Sequence, residues 1–511
     1  GSDIIRKVLE SHSIDSLMVT MVCYFENRTR ESWNNTIKIF RNGLGIHFEG
    51  AVHNQVVGYK NTQFCPVKIY HFGYDVDQKT VWKKFERTST LLLKAIEKDP
   101  SNFRHHHDLA VSYSSIQRHR AALDEGLEAI KLYGQNKESD PNILWTYFVV
   151  ATSYYNLGLL DEARAVAEKA VGISPEHFDS YYVLASFYSA QKNRIKFKQI
   201  YDKIIRLIKK FTQNPELLEG LIINKIAEKW RLDLEYGKLL LADKKKKEAI
   251  KFLHRAINGA PNKSTAYKLA SIVCRENAAF ELAEQFLQSA IEAGMDSHAV
   301  TLEKALVHKA MGRVARYHEL LEDLLSSNDL QNPRFISTLA FEALKIGRYQ
   351  KAESLLMKAL ADSYGNPKTF NALALSCRYQ GKMAEAVQWA EKTLKIEEGD
   401  VDALTILGHL YYELKNWGQA KAYYQRGIAI DGQRIDILFR LSLLSLMDQE
   451  INVCVELCDL LLANLGISCD MALENIGDLA LVYQMIGDAF LKAGEKKLYS
   501  EAMQFAQAMQ T

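Results

Sequence analysis

The sequence predicts a mostly α-helical protein, an α-solenoid of stacked helix pairs preceded by a small N-terminal α+β segment. Two observations carry this prediction. From residue 103 onward, alanine and other small residues recur with a period of about 34 residues, the length of one helix pair. Before that point the chain is β-branched and punctuated by glycine, as in IFRNGLGIHFEGAVHNQVV (39–57). A chain of 511 residues is also too long for one compact core, which favours an extended array.

The N-terminal segment is predicted to start with a helix and to continue with strands, because β-branched and aromatic runs alternate there with turn residues. The predicted helix covers 3–10, and the predicted strands cover 15–24, 36–41, 45–56 and 66–72. A further helix over 78–98 leads from this segment into the array.

The repeat is clearest in YFVVATSYYNLGLLDEARAVAEKAVGISP (147–175). Ala151 is followed there by Ala163, Ala167 and Ala170, and a proline ends the unit. This spacing resembles the tetratricopeptide repeat, a pair of antiparallel helices whose small residues let the helices approach closely. One such pair cannot bury its own apolar face, so neighbouring pairs are predicted to stack.

Eleven units with this pattern are predicted. They begin near Phe103, Leu144, Phe178, Trp230, Ser264, His298, Pro333, Pro367, Val401, Ile435 and Ala480. From Trp230 to Ile435, every step between starts is 34 residues except one of 35. Chance does not maintain such a register, so the array is the firmest prediction from the sequence.

Two insertions interrupt the register, a polar one at 133–142 and NPELLEGLIINKIAEKW at 214–230. The second has apolar residues at 217, 218, 221, 222 and 226, a spacing typical of a helix, and predicts an added helix and a kink. The predicted organisation is a strand-rich segment at 1–76, a connecting helix at 77–102, an N-terminal repeat arm at 103–213, an inserted helix at 214–229 and a C-terminal repeat arm at 230–511.

The first helix of each tetratricopeptide pair lines the inner groove of an array, with positions 2, 5, 9 and 12 of the unit facing it. Aromatic and hydrogen-bonding residues at these positions favour an extended peptide or protein ligand. The predicted peptide-binding residues are Trp145, Phe148, Tyr155, Tyr182, Asn371, Arg378, His409 and Tyr412. The alternative for each of them is packing against its own neighbours or simple solvation.

A second resemblance covers about the first 100 residues. Three short motifs carry it: Arg41-Asn42, Gly50-x-Val52-His53 and His71-x-Gly73-Tyr74. They resemble the C-terminal part of family 2 glycosyltransferases, which in bacteria are sometimes fused to tetratricopeptide arrays. The resemblance implies a GT-A fold whose front half binds a nucleotide-sugar donor. An Asp-x-Asp motif there holds a divalent metal, Mn or Mg, that offsets the charge of the leaving diphosphate.

By this resemblance, His53 is a candidate metal ligand, because neutral imidazole binds manganese-class ions. The chain departs from the family in two ways. Asn54 stands where a glutamate is usual, and the donor-binding half is not recognisable. No cofactor is therefore expected in this chain itself, no catalytic residue is assigned, and the chain alone is predicted to lack transferase activity. The string Asp75-Val76-Asp77 is interpreted as a helix cap.

The composition argues against several other functions. A formal net charge of +2 provides no field for nucleic acid or for an anionic membrane, and the tract Lys244–Lys247 falls in a turn between two helices. The seven cysteines form no pair with zinc-like spacing, which favours a reduced, cytoplasmic location. No apolar run is long enough to cross a membrane. The first residues, Gly1-Ser2, are typical of an expression-tag remnant, which allows a natural chain that begins earlier.

Two functional readings follow. In the first, the chain is a peptide-binding solenoid that recruits the acceptor of a family 2 glycosyltransferase. In the second, it is a non-catalytic protein-interaction scaffold whose N-terminal strands only cap the array.

Overall fold

The computed structural model describes residues 2–10, 13–25, 30–49, 55–73, 76–135, 140, 142–218, 221–362, 366–467 and 476–510. The chain divides into two compact units, Gly1–Leu324 and Leu325–Thr511, called here the N-terminal and the C-terminal unit. The predicted fold class, a helical solenoid with a small strand-rich segment at its start, is confirmed. The boundary at Leu324 and Leu325 differs from the predicted division at 214–229, which lies inside the N-terminal unit.

The described residues of the strand-rich segment form one helix and five strands: α1 (Ser2–Leu9), β1 (Ser16–Phe25), β2 (Arg30–Phe40), β3 (His47–Glu49), β4 (Gln55–Val57) and β5 (Thr62–His71). The central strand β1 pairs antiparallel with β2 and parallel with β5. The predicted strand at 45–56 is instead a short antiparallel pair, β3 with β4. Both β2 and β5 begin earlier than predicted, because polar residues alternate with apolar ones along them and pairing continues through both kinds.

One face of this sheet has a small core of its own. Leu17, Val19 and Cys65 are fully buried there. Ile5 and Val8 of α1 pack against them. Burial of Leu17 and Val19 on β1 together with Cys65 on β5 anchors the register of the parallel pair.

Helix α2 (Gln78–Lys98) connects the segment to the array and has the bounds that were predicted. The described residues then form eleven helix pairs, in agreement with the eleven predicted units. The first six pairs are α3 (Phe103–Ser115) with α4 (His119–Gln135), α5 (Asn142–Asn156) with α6 (Leu160–Ile173), α7 (Phe178–Ala190) with α8 (Arg194–Gln213), α9 (Lys229–Ala242) with α10 (Lys246–Gly259), α11 (Lys263–Glu276) with α12 (Phe280–Glu292), and α13 (Ser297–Ala310) with α14 (Val314–Ser326).

The remaining five pairs follow the same plan. They are α15 (Pro333–Lys345) with α16 (Tyr349–Asp362), α17 (Pro367–Tyr379) with α18 (Met383–Ile396), α19 (Val401–Glu413) with α20 (Trp417–Ile430), α21 (Ile435–Met447) with α22 (Ile451–Asn464), and α23 (Ile476–Lys492) with α24 (Lys496–Gln510).

Small residues lie between the paired helices of several units, as the spacing predicted. Ala163, Ala167 and Ala170 of α6 are completely buried. In the pair α19–α20, a β-carbon on Gly408 would overlap the ring of Tyr424, so only glycine allows this helix approach. Close approach increases the dispersion contacts between the two helices, and these supply the packing energy of the repeat.

The predicted inserted helix is wrong. Residues after α8 form a 3-10 turn (Pro215–Leu218), a two-residue strand β6 (Ile222–Ile223) and a second 3-10 turn (Ile226–Glu228) before α9 begins. The apolar residues Leu218 and Ile223 are buried in the core of the array, as a helix would also bury them. The backbone of β6, however, pairs antiparallel with β2, which gives the sheet the order β5-β1-β2-β6.

Candidate functional site

The surface of interest is formed by the first helices of the pairs. In the N-terminal unit α3, α5, α7, α9, α11 and α13 pack side by side in that order. In the C-terminal unit α15, α17 and α19 do the same. The side of these helices that faces away from the second helices is called here the first-helix face.

Trp145, Phe148 and Tyr155 of α5 are half-buried on the first-helix face of the N-terminal unit. The indole of Trp145 meets the imidazole of His107 edge to face, with ring centroids 5.4 Å apart. Burial and the carboxylate of Glu235 raise the pKa of the Tyr155 hydroxyl. These three side chains keep the partial exposure that a ligand contact requires.

Tyr182, the fourth predicted residue of this unit, lies in the core instead. Its side chain is 8% exposed, and its ring lies 5.2 Å from that of Phe178. Burial, followed by the nearby carboxylates of Glu228 and Asp179, raises the pKa of its hydroxyl well above the ordinary value. Tyr182 is therefore a packing residue of α7 and not an exposed contact on the first-helix face.

Asn371 of α17 is likewise a packing residue, 8% exposed. Its amide nitrogen donates to Asp400 Oδ1 at 3.0 Å, and its amide oxygen accepts from the Thr393 hydroxyl at 2.9 Å. Asp400 in turn caps α19 by accepting from the backbone N–H of Ala403. The amide therefore ties one repeat to the next and is already satisfied.

Arg378 and His409 are also committed to internal partners. The guanidinium of Arg378 makes two contacts to Glu413, at 2.6 Å and 3.3 Å, and the Arg378 side chain is only 9% exposed. His409 Nδ1 shares a 2.6 Å hydrogen bond with the hydroxyl of Tyr424. Burial lowers the pKa of His409, and the charges of Arg378 and Arg440 lower it further. His409 is therefore neutral near pH 7.

Tyr412 is half-buried and lies beside Arg440, a residue that the sequence analysis did not single out. Its ring lies edge-on to Trp417, with centroids 5.0 Å apart, and the guanidinium of Arg440 stands 4.7 Å above it. Arg440 is 8% exposed and forms a 2.5 Å ion pair with Glu501 of α24. The signal that could have found it is one arginine within the apolar helix IDILFRLSLLSLM.

The charged residue that stands at position 6 of four units was also missed in the sequence analysis. Glu235 accepts from the Ser189 hydroxyl at 2.6 Å, and Glu303 pairs with Lys268 at 3.2 Å. Arg440 pairs with Glu501 as described, whereas Asp108 of α3 lacks such a partner among the described residues. Position 6 was not among the positions assigned to the groove.

His53, the candidate metal ligand of the sequence analysis, lies outside the described residues. Within them, one group, Glu353, Cys377 and Glu385, brings its ligand atoms within 4.8 Å of one another. These residues do not fit an ion, because the ammonium of Lys382 already lies 2.8 Å from Glu353 and burial raises the pKa of the Cys377 thiol to about 11.

Other residues that the sequence analysis singled out have structural roles or lie in turns. Asp77 caps α2 by accepting from the backbone N–H of Thr80 at 2.8 Å, as interpreted. His106 and His107 are buried, and Lys244 lies in the turn before α10. The six cysteines among the described residues are buried and form no disulfide. A search of the described helices finds none with the length and apolar character needed to cross a bilayer.

Comparisons with known proteins bear on both parts of the chain. Tetratricopeptide repeat family models match residues 146–177, 338–400 and 401–434. Two curated relatives, the SPbeta prophage-derived glycosyltransferase SunS of Bacillus subtilis (strain 168) and glycosyltransferase SunS of Bacillus phage SPbeta, are each 26% identical over 102 residues. The match covers 19% of this chain and 24% of each relative, so the chain spans about a quarter of their length.

Three solved structures are among those that the chain matches. The APC/C hetero-tetramer Cut9–Hcn1 matches with 12% identity and a TM-score of 0.36, over 84% of this chain and 91% of that one. Human IFIT1, as a dimer with PPP-AAAA, matches with 15% identity and a TM-score of 0.37, over 75% and 93%. Pseudomonas aeruginosa PilF matches with 20% identity and a TM-score of 0.34, over 39% and 90%. The family matches and the eleven helix pairs of the described residues show that the chain contains tetratricopeptide repeats, a scaffold for protein interaction.

Proposed function

We propose that this chain is the acceptor-recruiting part of a family 2 glycosyltransferase and that its acceptor is a protein or peptide. Support comes from the resemblance of the N-terminal motifs to that family and from the 102-residue similarity to glycosyltransferase SunS. The nucleotide sugar and the divalent cation belong to the donor site of such an enzyme, with His53 as a proposed contact. A cytoplasmic location fits the buried free cysteines.

The observation that carries the proposal is the shared sheet. Strand β6 comes from the repeat array, yet it completes the sheet of the N-terminal segment by pairing with β2. The array core buries Ile223, and the side-chain amide of Asn35 donates to the carbonyl of Pro215 at 2.8 Å. A protein held on the first-helix face of the N-terminal unit would therefore be kept in a constant orientation to the sheet, as acceptor recruitment requires.

Protein rather than nucleic acid is the proposed partner. The basic tract Lys244–Lys247 runs from a turn into the first residues of the second helix α10, and the first-helix face combines half-buried aromatics with carboxylates such as Glu235. Carboxylates repel a phosphate backbone, whereas aromatic and polar groups together suit a peptide.

Site-specific photo-crosslinking tests the proposal. A benzophenone amino acid replaces Phe148 on the first-helix face or, as the matched control, Ile195 on α8, which is 67% exposed on a second helix. The full chain is expressed in its natural host, irradiated, and its adducts are analysed by mass spectrometry for identity and for attached sugar.

Adducts at position 148 are expected to be enriched in glycosylated proteins that are absent at position 195. Equal adducts at both positions would contradict recruitment by this face. Specific adducts without sugar would favour the second candidate, a non-catalytic scaffold. That candidate is supported by the way β6 fastens the strand-rich segment to the array as a cap.

A further inference from the structure

We infer that the first-helix face of the N-terminal unit contains a binding site for a lysine or arginine side chain of the partner, formed by the carboxylate of Asp108 and the indole of Trp145. The inference rests on the proposed function to the extent that both require a protein partner. It adds the chemistry that the partner must present, which neither the repeat family nor the glycosyltransferase similarity specifies.

The first step is that Asp108 lacks a counter-charge. Within the part of the chain that the structure describes, no hydrogen bond or ion pair reaches its carboxylate. Arg104, one turn earlier on α3, pairs instead with Asp140 at 2.7 Å. The side chain of Asp140 is only 4% exposed, so burial strengthens its ion pair with Arg104. The nearest cation is thus already engaged.

The second step is the electrostatic state of this carboxyl group. Burial raises the pKa of Asp108 to about 7, Asp140 adds to the increase, and Arg104 opposes it. A carboxyl group with this pKa is desolvated with only partial compensation from Arg104, and a cation placed next to it would recover the remaining cost. The charged residues at the same position of other units, Glu235 and Glu303, have such compensation from Ser189 and Lys268.

The third step is the neighbouring aromatic surface. Helices α3 and α5 pack together, and Trp145 contacts both His107 and the cluster that includes Val111, on either side of Asp108 along α3. The indole is half-buried, so part of its ring surface is open to a ligand. Indole is the best of the aromatic side chains for cation–π contact. With Asp108 on α3, between residues that Trp145 of α5 contacts, the two side chains together would suit a guanidinium or an ammonium group.

A metal ion is a poorer occupant of the same place. Asp108 and Asp140 supply only two candidate ligands, and no third metal-binding side chain joins them among the described residues. The ion pair from Arg104 to Asp140 also occupies one of the two. A single lysine or arginine side chain, with one positive charge, matches the one carboxylate of these two that has no ion-pair partner in the described part of the chain, that of Asp108.

The test uses the full chain, labelled with 15N at its six tryptophan indoles, and two acetylated, amidated peptides, Gly-Gly-Arg-Gly-Gly and its citrulline counterpart. Citrulline has the shape of arginine without the charge. The Trp145 resonance is assigned with the Trp145→Phe variant. Asp108→Asn removes the charge, and Asp124→Asn is the matched control, because Asp124 lies on the second helix α4 with 64% exposure.

The arginine peptide is expected to shift the Trp145 resonance and to bind about tenfold more tightly than the citrulline peptide, more so as the pH rises through 7. Asp108→Asn should abolish the difference, and Asp124→Asn should preserve it. Equal binding of the two peptides, or an unchanged preference in Asp108→Asn with an intact melting curve, would overturn the inference.

The two proposals fail separately. If the arginine preference is found but the crosslinked partners carry no sugar, the cation site stands and the glycosyltransferase role falls. If glycosylated partners crosslink at position 148 but the protein ignores arginine, only the cation site is lost.

Discussion

Trp33 of β2 and Ile223 of β6 are antiparallel partners in one sheet, although one belongs to the strand-rich segment and the other to the repeat array. The connection is reinforced beyond β6. Asn224 donates to the carboxylate of Asp179 from both its backbone N–H and its side-chain amide, each at 2.8 Å, and Asp179 lies in the first turn of α7. The inserted segment is therefore bound to the sheet through β6 and to the third helix pair through Asp179.

The first prediction concerns this fastening. Asp179→Ala leaves the N–H groups of Asn224 and Lys225 without their acceptor in a buried place, which we expect to cost about 2–3 kcal/mol of local stability. Hydrogen–deuterium exchange should show faster exchange over 222–228. The control, Asp202→Ala on α8, removes a carboxylate that is 51% exposed and should leave this segment unchanged. Unchanged protection in Asp179→Ala would show that β6 alone retains the insertion.

The second prediction concerns helix packing in the C-terminal unit. Gly408→Ala places a methyl group into the ring of Tyr424, so we expect the pair α19–α20 to lose about 2–3 kcal/mol. Gly418→Ala on α20 meets no atom within 4 Å and should be neutral or stabilise by up to about 1 kcal/mol. Chemical denaturation of both variants measures the contrast. Similar stabilities would mean that Tyr424 can move aside.

The third prediction concerns acid sensitivity. Burial and the nearby arginines lower the pKa of His409 in the folded protein below that in the unfolded chain, near 6.5. The unfolded chain therefore takes up the proton first, and stability is lost as the pH falls below 6.5. We expect wild type to lose about 1–2 kcal/mol more than His409→Gln between pH 7 and pH 5. Parallel pH profiles of the two proteins, from denaturation curves, would contradict the shift.

The fourth prediction separates two buried tyrosines of the N-terminal unit. The Tyr201 hydroxyl donates to Asp233 at 2.7 Å, whereas no described residue pairs with the hydroxyl of Tyr182. We expect Tyr201→Phe to cost about 1–2 kcal/mol and Tyr182→Phe to be neutral or slightly stabilising, since it removes an unsatisfied polar group. Thermal melting of the two variants checks this. A loss in Tyr182→Phe as large as that in Tyr201→Phe would reveal a bound water at the Tyr182 hydroxyl.

Much of the array could be predicted because its signal is local. Ala163, Ala167 and Ala170 lie on one face of one helix, and their small size matters wherever that face meets its partner. The same recurrence predicted the eleven pairs. The residues of the binding surface were harder to predict. A helical position suggested that Tyr182 and Asn371 face a groove, but both are buried against neighbouring side chains.

The sequence by itself determined the helix pairs, their number and the strand character of the first hundred residues, because periodicity and residue size act over distances of a few residues. Only the tertiary structure decided what the insertion does. Leu218, Ile222 and Ile226 have a spacing that suits a helix, yet the unpaired edge of β2 offers backbone hydrogen bonds that a helix would not use. The outcome depended on a partner strand far away in the chain, and no local pattern records its position.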